Sequence, residues 1–105
     1  MQNKFTIEYT YLANADLIKI KNYIKNNLYS PKASDNLLKE IQTTIENLED
    51  FPLSGTPLTD SQLAFSYRWL KVRNYMIFYT VNETAKTVTI MRILYGASNY
   101  INELY

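Results

Sequence analysis

Hydrophobic and polar positions change period along the chain, and each change marks an element. Phe5, Ile7 and Tyr9 alternate with Lys4, Thr6, Glu8 and Thr10. A period of two predicts a short, half-buried strand over residues 4–10. Leu17, Ile20, Ile24 and Leu28 then recur at spacings of three and four, with Lys19, Lys21 and Lys25 off that stripe. This is one face of a helix over about residues 12–28. Ser30-Pro31 follows. Serine suits an N-cap, and proline suits the first helical position, where its missing N–H costs nothing. Leu38, Ile41, Ile45 and Leu48 form a second apolar face and predict a helix over about residues 31–50. Two helices on so short a link are expected to pair as an antiparallel hairpin.

Phe51-Pro52-Leu53-Ser54-Gly55-Thr56-Pro57 holds two prolines and one of only two glycines, which predicts a turn-rich loop within the domain. Beyond it the period of two returns. Phe65, Tyr67 and Trp69 alternate with Arg68, Leu70 and Val72, and residues 75–81 are aromatic and β-branched. Residues 82–86 are polar and turn-like, and residues 87–94 read again as a strand. Such short connections imply an antiparallel meander. Gly96 breaks the last strand, and residues 97–105 predict a short terminal helix with Tyr100, Ile101 and Leu104 apolar. The expected order is β-α-α-β-β-β: an α+β domain with an N-terminal strand, a helical hairpin on one face, a three-stranded antiparallel meander and a short C-terminal helix. With 105 residues, one domain over 1–105 is expected.

Composition removes several kinds of chemistry. There is no cysteine and no histidine. That excludes a disulfide framework, thiolate zinc sites, a cysteine nucleophile and the side chain that titrates most easily near neutral pH. The start of the chain has no apolar core of about 7–15 residues, and no apolar run approaches about 18 residues. A cytoplasmic protein with no membrane partner is expected. Formal net charge is +1, so global charge does not point to nucleic acid. The layout is uneven, however. Residues 35–60 are strongly acidic, with Lys39 as their one base, while residues 67–92 hold Arg68, Lys71, Arg73, Lys86 and Arg92 against Glu83 alone. That is either ordinary surface pairing or a local basic face for an anionic partner.

Glycines only at 55 and 96 exclude a phosphate-binding glycine loop. Glu49-Asp50 lacks further ligand spacing, so no metal and no cofactor are expected. The arginines and tyrosines of the strands remain. Strand alternation puts Arg68 on the side of Leu70 and Val72, and Lys71 on the side of Tyr67 and Trp69. Aromatic faces beside cations suit stacked nucleotides and phosphates, or they fill the core under the helices. Arg68 and Arg92 stand in apolar runs and need a partner or a solvent-exposed site.

The element order resembles the RelE/ParE superfamily of bacterial type II toxins over about residues 5–104. So do Phe51-Pro52 after the second helix, Tyr67-Arg68-x-Leu70-x-Val72, Asn74-Tyr75-x-x-Phe78-Tyr79-x-Val81 and Arg92-Ile93-Leu94-Tyr95-Gly96. The resemblance implies a growth-inhibiting toxin neutralised by a cognate antitoxin. The antitoxin would lay a helix or extended segment along the groove beside residues 12–50. Leu17, Ile24, Leu38 and Ile45 are its candidate contacts, and a toxin–antitoxin heterotetramer fits.

The superfamily implies two activities. RelE-like members cleave messenger RNA on the ribosome: the 2′-hydroxyl attacks the adjacent phosphate, a base takes its proton, an acid protonates the leaving oxygen, and cations stabilise the charge. ParE-like members poison DNA gyrase. Many RNase members carry an arginine where this chain has Met76, several use a C-terminal histidine that is missing here, and most are more basic. The reading therefore leans to a ParE-like or divergent non-RNase toxin. An RNase, or a non-toxic interaction module, is the alternative. Arg68, Lys71, Arg73, Arg92 and Tyr95 are the candidate functional groups on either view, since a tyrosine surrounded by cations can serve as a base.

Overall fold

The computed structural model describes residues 4–27, 31–58, 63, 65–96 and 100–104. Leu28, Ser30, residues 97–99 and Tyr105 lie outside them, as do the side chains of residues 25–35 and of Ile101. Strand β1 (Thr6–Tyr9) leads into helix α1 (Tyr11–Asn27), followed by α2 (Pro31–Glu46) and a 3-10 turn (Asn47–Glu49). Strands β2 (Thr56–Leu58), β3 (Tyr67–Val72), β4 (Tyr75–Asn82) and β5 (Thr87–Tyr95) precede the short helix α3 (Tyr100–Leu104).

Thr10 joins the first two elements. Its hydroxyl accepts the Ala13 amide at 3.0 Å, which caps α1, and donates to the Met91 carbonyl at 2.9 Å. A capping threonine satisfies one of the orphan amides of the first turn. Pro31 stands first in α2, as its missing N–H favours.

The sheet is larger than the expected meander. Its order is β1-β5-β4-β3-β2. The meander β3-β4-β5 is antiparallel as expected, but β1 joins its far edge parallel to β5, with Ile7 opposite Val88. On the other edge β2 pairs with β3, with Pro57 opposite Arg68. Thr56 and Pro57, expected in a loop, thus belong to a strand. Proline is tolerated on an edge, where its missing donor breaks no ladder bond.

Both faces of the sheet are covered. Helices α1 and α2 bury Ala13, Ile20, Ile24, Leu37, Ile41 and Ile45 against Val72, Ile77, Tyr79, Val88 and Ile90. On the opposite face Leu104 of α3 packs with Tyr67, Met76 and Phe78, and the Tyr100 ring stacks on Phe78 at 5.4 Å. Residues 75–79 of β4 are therefore all buried, which explains an uninterrupted apolar run in a central strand. Among the described residues no helix is long and apolar enough to cross a membrane.

Candidate functional site

The five groups expected to work together are distributed over three places. Arg92 lies just past a bulge in β5, where the pairing with β4 shifts between Phe78 and Tyr79. A bulge re-aims the side chains beside it. The guanidinium donates through Nε to Asp16 Oδ2 at 2.8 Å and through Nη2 to Oδ1 at 3.0 Å. Its Nη1 reaches the Glu103 carboxylate at 3.1 Å and the Glu103 carbonyl at 3.2 Å. Asp16 also accepts the Ile93 amide at 2.9 Å. The Arg92 and Asp16 side chains are 12% and 6% exposed. The hydrogen bonds it donates to Asp16 raise the Arg92 pKa, and burial only partly opposes this. One arginine thus ties α1, β5 and α3 together, and the fork of its Nε and Nη2 is taken by Asp16.

Arg68 stands apart from it. Its Nη1 donates to the carbonyls of Leu53 at 3.1 Å and Gly55 at 2.8 Å. Beside it the buried Tyr79 hydroxyl donates to the Pro52 carbonyl at 2.9 Å and accepts the Gly55 amide at 2.8 Å. The two side chains pin the turn that leads into β2. A side chain at Gly55 has no room: its Cβ would lie 2.5 Å from the Tyr79 hydroxyl oxygen and 2.9 Å from the Trp69 carbonyl.

Lys71 and Arg73 share a third place, near the β3–β4 turn. Arg73 donates through Nε to Glu40 of α2 at 2.9 Å. Lys71 is exposed. It lines an open groove of about 700 Å³ with Arg73 and α2, and a smaller cleft of about 340 Å³ with Trp69, Met76 and Tyr100. Tyr95 is 69% exposed. Its ring meets Tyr75 edge-on at 5.3 Å, over a crevice of about 500 Å³ that also holds Asp16, Tyr23 and Arg92. Tyr9, Tyr67, Tyr75 and Tyr79 all have raised pKa values, chiefly through burial. None of these four is prepared as a base at neutral pH.

Of the expected antitoxin contacts, two lie in the core and two are partly exposed. Ile24 and Ile45 are 2% exposed and belong to the core, while Leu17 and Leu38 pack partly against it. The apolar stripe of α1 turns inward onto the sheet, which leaves Ile24 almost no surface of its own. Leu12 and Ile18 are the exposed aliphatics of that helix, at 51% and 59%. Sequence reasoning missed Asp16, Glu40 and Glu103. Asp16 had a signal, because it follows Ala13 and precedes Ile20 and Ile24 at helical spacing on the buried face.

The family model of the ParE toxin of the type II toxin–antitoxin system parDE matches residues 7–100. The chain belongs to this family. No curated protein sequence matches it. Among solved structures, this ParE-family toxin is similar to the chromosomal ParDE system of Pseudomonas aeruginosa, with 19% identity over 91% of this chain and 100% of that one, and a TM-score of 0.68. It is also similar to the RelBE2 toxin–antitoxin complex of Mycobacterium tuberculosis, with 20% identity over 93% and 98% of the two chains, and a TM-score of 0.60. At these identities the likeness shows the shared fold. Where RNase relatives were expected to carry an arginine, this toxin has Met76, 8% exposed beneath α3.

Proposed function

We propose that this toxin arrests growth by engaging a protein target, DNA gyrase, in the ParE manner, and that a cognate antitoxin neutralises it in the cytoplasm. The observation that carries this reading is the engagement of Arg92. Cleaving RNA needs cations, a base and an acid gathered on one scissile phosphate. Arg92 instead spends its fork on Asp16 and Glu103. Arg68 is held by two carbonyls of the turn before β2. The buried thioether of Met76 offers nothing to a phosphate. A surface that acts by docking needs none of this machinery.

The antitoxin partner is supported by the two similar structures, which are of toxin–antitoxin systems. The exposed Leu12 and Ile18 of α1 give an antitoxin helix or strand apolar anchors. A heterotetramer with the antitoxin is the assembly expected on co-expression, and light scattering measures it. The decisive experiment adds purified toxin to gyrase supercoiling and DNA-cleavage assays, and in parallel to a translating extract. Inhibited supercoiling or trapped DNA breaks, with intact messenger RNA, are expected. Messenger RNA cleavage that disappears in Arg68→Ala or Lys71→Ala overturns the reading in favour of a ribonuclease. Unimpeded growth on expression without a partner overturns toxicity itself.

A further inference from the structure

We propose that the groove between α2 and the β3–β4 turn docks an acidic segment of a partner protein. The groove has a volume of about 700 Å³. Lys39 enters it from α2, and Lys71 and Arg73 from the turn. Glu40 is its single acid among the described residues, and Thr43 and Thr44 add hydroxyls along the helix. Among the described residues neither lysine is paired with an acid. Three cations thus line the groove beside one carboxylate among the described residues, in a chain whose overall charge is only +1. Such local excess attracts an anionic partner and speeds its arrival.

The groove also shows the form of the anion it takes. Arg73 holds Glu40 with Nε at 2.9 Å and Nη2 at 3.4 Å, a fork on a carboxylate. Both side chains are 49% exposed, so the pair is weak and open to exchange. A carboxylate on an incoming chain can replace Glu40 while its neighbours reach Lys39 and Lys71. Arg73 has φ 54°, a left-handed conformation that costs a long side chain energy and that Asn or Gly adopts more easily. Nucleic acid fits less well, because no aromatic ring among the described residues lines this groove to stack a base and Glu40 repels a phosphate chain. The inference rests on the groove and is independent of which cellular target the toxin engages.

Fluorescence anisotropy with a labelled Glu/Asp-rich peptide tests it, beside an oligouridylate of matched charge at the same physiological salt. Saturable peptide binding is expected, weakened about tenfold by Lys71→Ala or Arg73→Asn, the loss of one charge-assisted contact. Asparagine tolerates the turn's backbone, and circular dichroism checks that this variant keeps its fold. Glu40→Gln removes the internal competitor and tightens binding several-fold. Glu46→Gln makes the same charge change on the same helix outside the groove and leaves binding unchanged. Absent or non-saturable peptide binding, equal or tighter oligouridylate binding, or equal effects of the two glutamine variants would overturn the proposal.

Discussion

Replacing Arg92 with alanine tests whether the ion pair holds α1 and α3 to the end of the sheet. Arg92 and Asp16 are 12% and 6% exposed and share two short hydrogen bonds. Removing one partner of a buried pair leaves an uncompensated charge and costs about 3–5 kcal/mol. Here Asp16 would keep only the Ile93 amide. The contact with Glu103, which is 53% exposed, adds at most about 1 kcal/mol. Against a typical total of about 5–15 kcal/mol, the loss is severe. It corresponds to a fall in Tm of roughly 15–30 °C for a domain of this size.

Urea denaturation measures the effect directly, with a lower midpoint at an unchanged slope. The pair is also separable from its packing. An Asp16→Leu/Arg92→Met double variant replaces both charges by apolar groups and should recover most of the loss, because well-packed hydrophobic replacements of buried pairs are often neutral or stabilising. Strongly non-additive costs for Arg92→Met and Asp16→Leu are therefore expected. A loss below about 1 kcal/mol in Arg92→Ala, the range of a screened surface pair, refutes the reasoning. So does simple additivity in the double variant.

Gly55→Ala should cost about 1–3 kcal/mol by overpacking, because the new Cβ would meet the Tyr79 hydroxyl and the Trp69 backbone carbonyl; a wild-type urea midpoint counts against that geometry. Stability should fall as pH rises above about 10, the ordinary tyrosine pKa. The folded chain raises the pKa of Tyr9, Tyr67, Tyr75 and Tyr79, so it holds protons that the unfolded chain has released, and rising pH favours the unfolded state. Tyr79→Phe should flatten part of that decline in urea midpoints between about pH 9 and 11, and an unchanged slope would argue against Tyr79 as a contributor. Met76→Arg should not create a ribonuclease. It puts an unpaired charge among Tyr67, Phe78 and Leu104, and near-UV circular dichroism should show lost packing; native spectra with a native melting curve would mean that α3 covers this face only loosely.

The backbone architecture was legible because backbone geometry ties side-chain direction to sequence spacing. Ile20 and Ile24 share a helix face at any tertiary arrangement, and Tyr67 and Trp69 share a strand face. What lies opposite that face is not encoded in the spacing. The stripe through Leu17 and Ile24 suited a partner's surface as well as a core, and the sheet claimed it. Strand β1 was visible as a strand, but its parallel place beside β5 joins segments about eighty residues apart and has no local signature. Strand β2 was hidden by Pro57, whose turn preference outweighs the freedom of an edge strand.

The cations were the least legible feature, for a related reason. An arginine has a long, flexible stem, so its guanidinium can satisfy partners on several elements regardless of the strand face its Cβ occupies. Arg68 and Arg92 were recognisable as charges in apolar runs that require compensation. Whether a substrate phosphate or the protein itself supplies it depends on contacts far apart in sequence: Asp16 is 76 residues from Arg92, and Leu53 is 15 from Arg68. In both cases the protein supplies it. Arg73 differs, because its partner Glu40 is half-exposed and readily exchanged. Of the two arginines paired with carboxylate side chains, the one on the strained turn is therefore the more exposed and the more easily parted from its partner.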